Sequence, residues 1–214
     1  MGGLNPHAVE WMWRMQGRRG RVVWLPTFDA ENHLRRFGVP GEGLRVARDG
    51  RVVPELEAVL QVIARAGLVL HTGHVSAEEV LLVLRRAREL GVARLVVTHA
   101  MAQVPGLSLA QMQEAAALGA YLELAYLTHL LGPQAHLDWM CHWQRVSLEE
   151  MAQAIRAVGA EHFILSTDLG QLGTPIPPDG YTLLVTGLQA AGISQAELDQ
   201  MMKTNPARLL GLAG

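Results

Sequence analysis

Short apolar runs alternate along this chain with longer stretches of helical periodicity. Residues 21–26, 68–72, 94–98, 120–124 and 162–166 are rich in Val, Leu and Ile and almost unbroken in hydrophobicity. That pattern predicts strands covered on both faces. The helical stretches between them are clearly punctuated. Ser76-Ala-Glu-Glu79, Ser108-Leu-Ala-Gln111, Ser147-Leu-Glu-Glu150 and Ser194-Gln-Ala-Glu197 have the spacing of capping boxes, in which the Ser oxygen accepts from a first-turn N–H and the Glu or Gln reaches back. Gly67, Gly91, Gly119 and Gly159 are placed to end the corresponding helices in the left-handed conformation, and a strand follows each within a few residues.

A strand–helix repeat of this kind implies a parallel sheet with right-handed crossovers. No Gly-x-Gly-x-x-Gly follows the first strand and no Walker-type phosphate loop is present, so a nucleotide fold is disfavoured. The expectation is an α/β, TIM-barrel-like (β/α) fold spanning residues 1–214 as a single domain. Five strands are legible where a closed barrel needs eight, so the barrel is expected to be incomplete at its N-terminus. Two segments break the repeat. Leu44-Arg-Val-Ala47, the Asp49-Gly50 turn and Arg51-Val-Val53 predict a small hairpin. Residues 125–145 form a long connection carrying Trp139, Cys141, Trp143 and three histidines, either a lid or an insertion that covers apolar surface.

Composition narrows the classes. Half of the 214 residues are hydrophobic and the formal net charge is -2, which offers no electrostatic case for nucleic acid or an anionic membrane. The single cysteine excludes an intrachain disulfide and a thiolate-rich metal site. No apolar run reaches the roughly 18 residues of a membrane span, and the start lacks a signal-peptide core, so the cytoplasm is the expected location. Lys203 is the only lysine; every other basic residue is Arg.

Chemistry concentrates where strands end. His74 closes Leu68-Val-Leu-His-Thr-Gly-His74, His99 closes Leu95-Val-Val-Thr-His99, and Asp168 closes Phe163-Ile-Leu-Ser-Thr-Asp168. In a parallel α/β fold the carboxyl ends of the strands share one rim, so these side chains should converge on one cleft. Either His71 or His74 could serve as a ligand, with Gly73 letting the backbone turn His74 into the mouth. A neutral imidazole at His99 could bind a divalent metal or hold a substrate oxyanion. Asp168 could ligate a metal and accept a proton. Glu123, inside an apolar strand, needs a partner or a metal. It could face the mouth or a helix arginine. Thr27, Gln171 and Asp179 are weaker candidates for substrate contacts, and each of these residues also has a purely structural reading as a cap, turn or buried hydrogen-bonding group.

A His at one strand end, a His at the next and an Asp on the last strand, followed by Asn205-Pro-Ala-Arg-Leu-Leu-Gly211, resemble the amidohydrolase superfamily of metal-dependent hydrolases, whose fold is a distorted (β/α)₈ barrel. The likeness covers most of the chain. It extends to a little-characterised branch with segments like Gly2-Gly-Leu-Asn-Pro6, Trp24-Leu-Pro-Thr27, Thr72-Gly-His74 and Ser166-Thr-Asp168. The resemblance implies that His74 (or His71), His99 and Asp168 are metal ligands on the fifth, sixth and eighth strands, with Asp168 also the base. It implies a divalent metal, zinc first and manganese or iron otherwise, and a small amide, ester, lactone or phosphoester as substrate. Two departures stand out. The family's first strand ends in His-x-His, which this chain lacks, and Lys203 lies in a late helix, not where a carboxylated bridging lysine would sit. The chain thus resembles a barrel without its first strand or two. A homodimer with Trp11 and Trp13 near the interface is the expected means of covering the gap. The competing expectations are a catalytically impaired ligand- or partner-binding module, and a barrel enzyme that uses His and Asp without metal.

Overall fold

The computed structural model describes residues 3–212. The strands are β1 (Val22–Trp24), β2 (Ala47–Arg48), β3 (Arg51–Val52), β4 (Val69–His71), β5 (Arg94–Val97), β6 (Ala120–Ala125) and β7 (Phe163–Ser166). β2 and β3 form the antiparallel hairpin, with Asp49 at φ 51° and Gly50 at φ 73° as its Asp-Gly turn demands. The other five build one parallel sheet in the order β1-β4-β5-β6-β7. β6 extends one residue beyond its apolar run, while the other four strands of this sheet are shorter than theirs.

Helices Pro54–Ala66, Ala77–Glu89, Leu109–Ala117 and Leu148–Val158 connect consecutive strands of the sheet. All four Ser capping boxes form, each Ser oxygen accepting from the N3 amide while the N3 Glu or Gln side chain accepts from the Ser N–H. Gly67, Gly91 and Gly119 take positive φ of 61°, 86° and 80° at helix ends. Gly159 departs from the expectation. It has φ 107° and ψ 132°, outside the left-handed helical region, because the chain passes straight into the single 3₁₀ turn Ala160–His162 before β7.

Alternation along the strands separates two faces. One face (Leu70, Leu95, Val97, Leu122, Leu124, Phe163 and Leu165) joins the large core beneath the helices. The other gathers Val69, Val96 and Ile164 against Leu209, with Val22 and Tyr121 beside them. Leu209 comes from the helix Asn205–Leu210, so the closing Asn-Pro segment plugs the sheet's amino end. Asn205 is fully buried there and donates from Nδ2 to the carbonyls of Ala160 (2.9 Å) and Phe163 (2.7 Å), tying the segment to the start of β7. The sheet is a barrel-like arc whose edge strands, β1 and β7, do not pair with each other. Among the described residues no helix is long and apolar enough to cross a membrane.

The long connection is not a featureless loop. It carries the short helices Leu127–Leu130 and Asp138–Cys141, and Leu127, Leu131 and Met140 form a small core of their own with Trp143 and Leu169 against them. Of the two N-terminal tryptophans, Trp13 packs against the main core whereas Trp11 is 74% exposed.

Candidate active site

Three polar strand exits are stitched to one another before any ligand is considered. Thr72 Oγ1 accepts from the Thr98 amide (3.2 Å), and Thr98 Oγ1 accepts from the Gly73 amide (2.9 Å). The Glu123 carboxylate accepts from the His99 amide (3.0 Å), so its burial in an apolar strand is compensated from the neighbouring strand's end. Gly73 is required here on two counts: φ is 63°, and a Cβ would lie 2.5 Å from the carbonyl oxygens of Leu25 and Pro26. The turn it makes sends His74 over the sheet, with its amide held by the Pro26 carbonyl (2.9 Å).

His99 and Asp168 both adopt positive φ, 28° and 52°, immediately beyond β5 and β7. Such backbone is costly for a residue with a side chain and persists where the surroundings impose it. Both residues line a cavity of about 630 Å³ at the carboxyl ends of the strands. His74, Glu123, Thr27 and Gln171 line it too, so the structure brings six of the sequence candidates together. Two lie outside its lining. His71 sits on the sheet face below, its Nδ1 3.4 Å from Thr98 Oγ1 and its ring 4.7 Å from that of Trp24. Asp179 is exposed in the first turn of the helix Pro177–Ala190.

The floor of the cavity is a row of imidazoles. His74 Nδ1 is 2.8 Å from His33 Nδ1, and His74 Nε2 is 3.1 Å from His99 Nε2. All three histidines are buried. Burial disfavours the imidazolium, and the neighbouring His99 adds to the effect, pushing His74 and His71 down to about 3. His99 is held below its ordinary value by burial, which outweighs the attraction of the Asp168 carboxylate. Asp168 is raised, chiefly by burial and also by the nearby Glu123, against the pull of His99. Glu123 is raised by burial. The site therefore stores neutral imidazoles beside carboxyl groups that hold protons more tightly than usual.

Sequence reasoning passed over His33. It lies on the short helix Glu31–Phe37, and the signal available was its spacing to Phe37, which places both on one helical face. Thr98 and Phe28 also line the cavity without having been expected, and Trp139 and Trp143 reach it from the long connection. The recurrence of Thr at the ends of neighbouring strands was the trace left by the first.

The donor set can be tested against a divalent metal. Two Zn–N bonds of about 2.0–2.1 Å at a near-tetrahedral angle place their nitrogens roughly 3.3 Å apart. The facing Nε2 atoms of His74 and His99, at 3.1 Å, fit that spacing, and both rings are neutral as ligands must be. His99 Nδ1 is buried without a hydrogen-bond partner among the described residues. Against this, no three His, Cys, Asp or Glu side chains among the described residues stand together in ligating positions. A histidine pair fits the metal; the third ligand has to be brought up to it.

The same architecture occurs in solved structures. Organophosphorus hydrolase from Deinococcus radiodurans superposes with a TM-score of 0.62 at 18% identity, over 96% of this chain and 61% of that one. A mutant of a PTE-like lactonase from the same organism gives a TM-score of 0.62 at 18% identity, over 96% and 63% of the two chains. These likenesses establish the barrel-type (β/α) fold, and the chain spans about three fifths of the length of the structures it matches. By sequence, the chain belongs to the family of unknown function DUF6282, whose model matches residues 1–123. No curated protein matches it.

Proposed function

We propose that this protein is a metal-dependent hydrolase of the amidohydrolase type. The observation that carries the reading is the pair of facing imidazole nitrogens at the cavity floor, His74 Nε2 and His99 Nε2, with the Asp168 carboxyl group acting electrostatically on His99. His74 and His99 would hold a divalent cation, zinc before manganese or iron, with Asp168 as the third ligand. His71 is disfavoured because it lies outside the cavity lining. Bound there, the cation would polarise a carbonyl or phosphoryl oxygen and lower the pKa of water.

The chain's own groups have separate tasks. Asp168 would accept the proton of the attacking water as general base. Glu123 holds the His99 backbone in its strained conformation. Trp24, Phe28, Leu127, Leu131 and Trp143 form apolar walls that exclude water, while Thr27 and Gln171 offer polar contacts to substrate. Among the described residues no Lys or Arg lines the cavity, and its acidic residues are Glu123 and Asp168. This favours a small ester, lactone, amide or phosphoester without net negative charge. The unpaired edges of β1 and β7 and the exposed Trp11 support self-association as a homodimer, which sedimentation would check.

The test combines elemental analysis with turnover of uncharged ester and lactone substrates. About one cation per chain is expected, lost in His99→Ala. In Asp168→Asn hydrolysis should fall at least about 100-fold, the scale of losing a general base. A chain that takes up no metal after reconstitution overturns the reading. That no three-ligand group stands ready among the described residues favours one alternative, a module that binds a small apolar ligand without converting it. Saturable binding with no turnover and no metal would select that alternative.

A further inference from the structure

We infer that Gln171 sets the substrate class of this site: its side-chain carbonyl accepts from an N–H of the ligand, which selects a small neutral amide over an ester, lactone or phosphoester. This rests on the hydrolase reading for the bond that is broken, but not for what is bound. Four buried polar side-chain atoms have no hydrogen-bond partner among the described residues, and three of them, His99 Nδ1, Ser166 Oγ and Gln171 Oε1, belong to residues that line the cavity. Buried polar groups are nearly always paired, so several unpaired ones in one cavity wall mark where a ligand belongs. Two of the three do not choose that ligand. A hydroxyl rotates to donate or accept, and a neutral imidazole nitrogen does either according to its tautomer.

Gln171 does choose. Its Nε2 donates to the Asp168 carbonyl at 2.9 Å, a bond that only the NH₂ side of the amide can make. Oε1 is therefore the other end, an acceptor without a donor. The backbone fixes the residue as well: the Gln171 carbonyl accepts from the Thr174 amide (3.1 Å) and from Thr174 Oγ1 (2.8 Å). The acceptor is thus held in place before a ligand arrives, so little ordering cost falls on binding. Of the four neutral substrate classes that suit this cavity, the ester, the lactone and the phosphoester carry only acceptors at the group that is cleaved. An amide with a hydrogen on nitrogen carries a donor there. Trp24, Phe28 and Trp139 line the cavity while remaining exposed, which leaves apolar surface for the amide's substituent. Hydrolysis of such a ligand breaks the C–N bond: water gives its hydroxyl to the acyl carbon and its proton to the departing amine.

The experiment uses the full chain, metal-free and after zinc reconstitution, with three matched ligands: N-methylphenylacetamide, its N,N-dimethyl analogue and methyl phenylacetate. Only the first carries an N–H, and the ester matches its shape. Affinity is read by calorimetry and turnover by product release. Wild type should bind the N–H amide about 10-fold more tightly than either of the others. The preference should shrink below about 2-fold in Gln171→Met, which keeps the side chain's length and removes the acceptor. Equal binding of amide and ester by wild type overturns the inference, as does saturation by none of the three at millimolar concentration. So does a preference that survives in Gln171→Met, because a merely structural role of Gln171 weakens all three ligands together and leaves their ratio unchanged. The hydrolase reading fails separately: an amide preference without metal or turnover leaves the role of Gln171 standing, whereas turnover without the preference removes that role alone. If Gln171→Met does not fold, Gln171→Glu decides, since it keeps an acceptor at the same reach: a retained amide preference supports the inference and its loss overturns it.

Discussion

Neighbouring residues of β6 do opposite work. Leu122 and Leu124 are buried in the main core under the helices, while Tyr121 and Glu123 belong to the other face of the sheet. The helix-covered face is uniformly apolar along every strand. The concave face changes character along its length: Val69, Val96, Ile164 and Leu209 close its amino end, and Glu123, Thr98, His33, His74 and His99 line the cavity at its carboxyl end. The first face has many interchangeable contacts and carries stability. The second is apolar only as far as it must be to seal the bottom, and then turns polar under burial, where each group needs a specific partner. Positive φ at His99 and Asp168 falls on the second face's rim. Stability and chemistry are thus divided within one sheet by the period-2 alternation of its strands.

The sharpest way to break this comparison is to exchange the treatment of adjacent residues. Leu122→Ala removes fully buried side-chain volume and should cost about 2–5 kcal/mol of unfolding free energy, read by urea denaturation at neutral pH. A loss under about 1 kcal/mol would mean the helix-covered face is not where stability resides. The pH dependence gives a second, smaller effect. His71 titrates near 3 in the fold and near 6.5 when free, so between those values the unfolded chain binds more protons. Its contribution to stability is complete above about 6.5 and is lost as the pH falls toward 3, at roughly 1.4 kcal/mol per pH unit for one proton. His71→Asn should flatten the decline between pH 6.5 and 4 by about that slope; an unaltered curve would show that His71 is not held neutral by burial. The smallest effect belongs to Glu123→Gln, which keeps an acceptor for the His99 amide while removing a buried charge. It should shift stability by less than about 1 kcal/mol, whereas a large loss would place Glu123 among the stabilising groups and erase the division.

Much of this arrangement was readable from residue order. The four Ser-x-x-Glu/Gln boxes, the Asp-Gly hairpin and the five strands were visible because each depends on residues close in sequence. The meeting of His74, His99 and Asp168 in one cavity was visible because parallel strands share an exit rim. The assignment of His71 and His74 to different levels was not, since it depends on Gly73 turning the chain against the Leu25 and Pro26 carbonyls, residues nearly fifty positions earlier. The partner of Glu123 proved to be a backbone amide, which no side-chain pattern announces.

The sequence by itself determined the βα repeat, the helix boundaries and which residues would stand at the strand exits, because local propensity and alternation act within a few residues. Only the tertiary structure decided which of those residues meet. His33 reaches His74 across 41 positions, and Trp143 reaches both from the far connection. Such contacts arise when separate elements pack on a common sheet, and their partners are set by the geometry of that packing, to which no short stretch of chain has access.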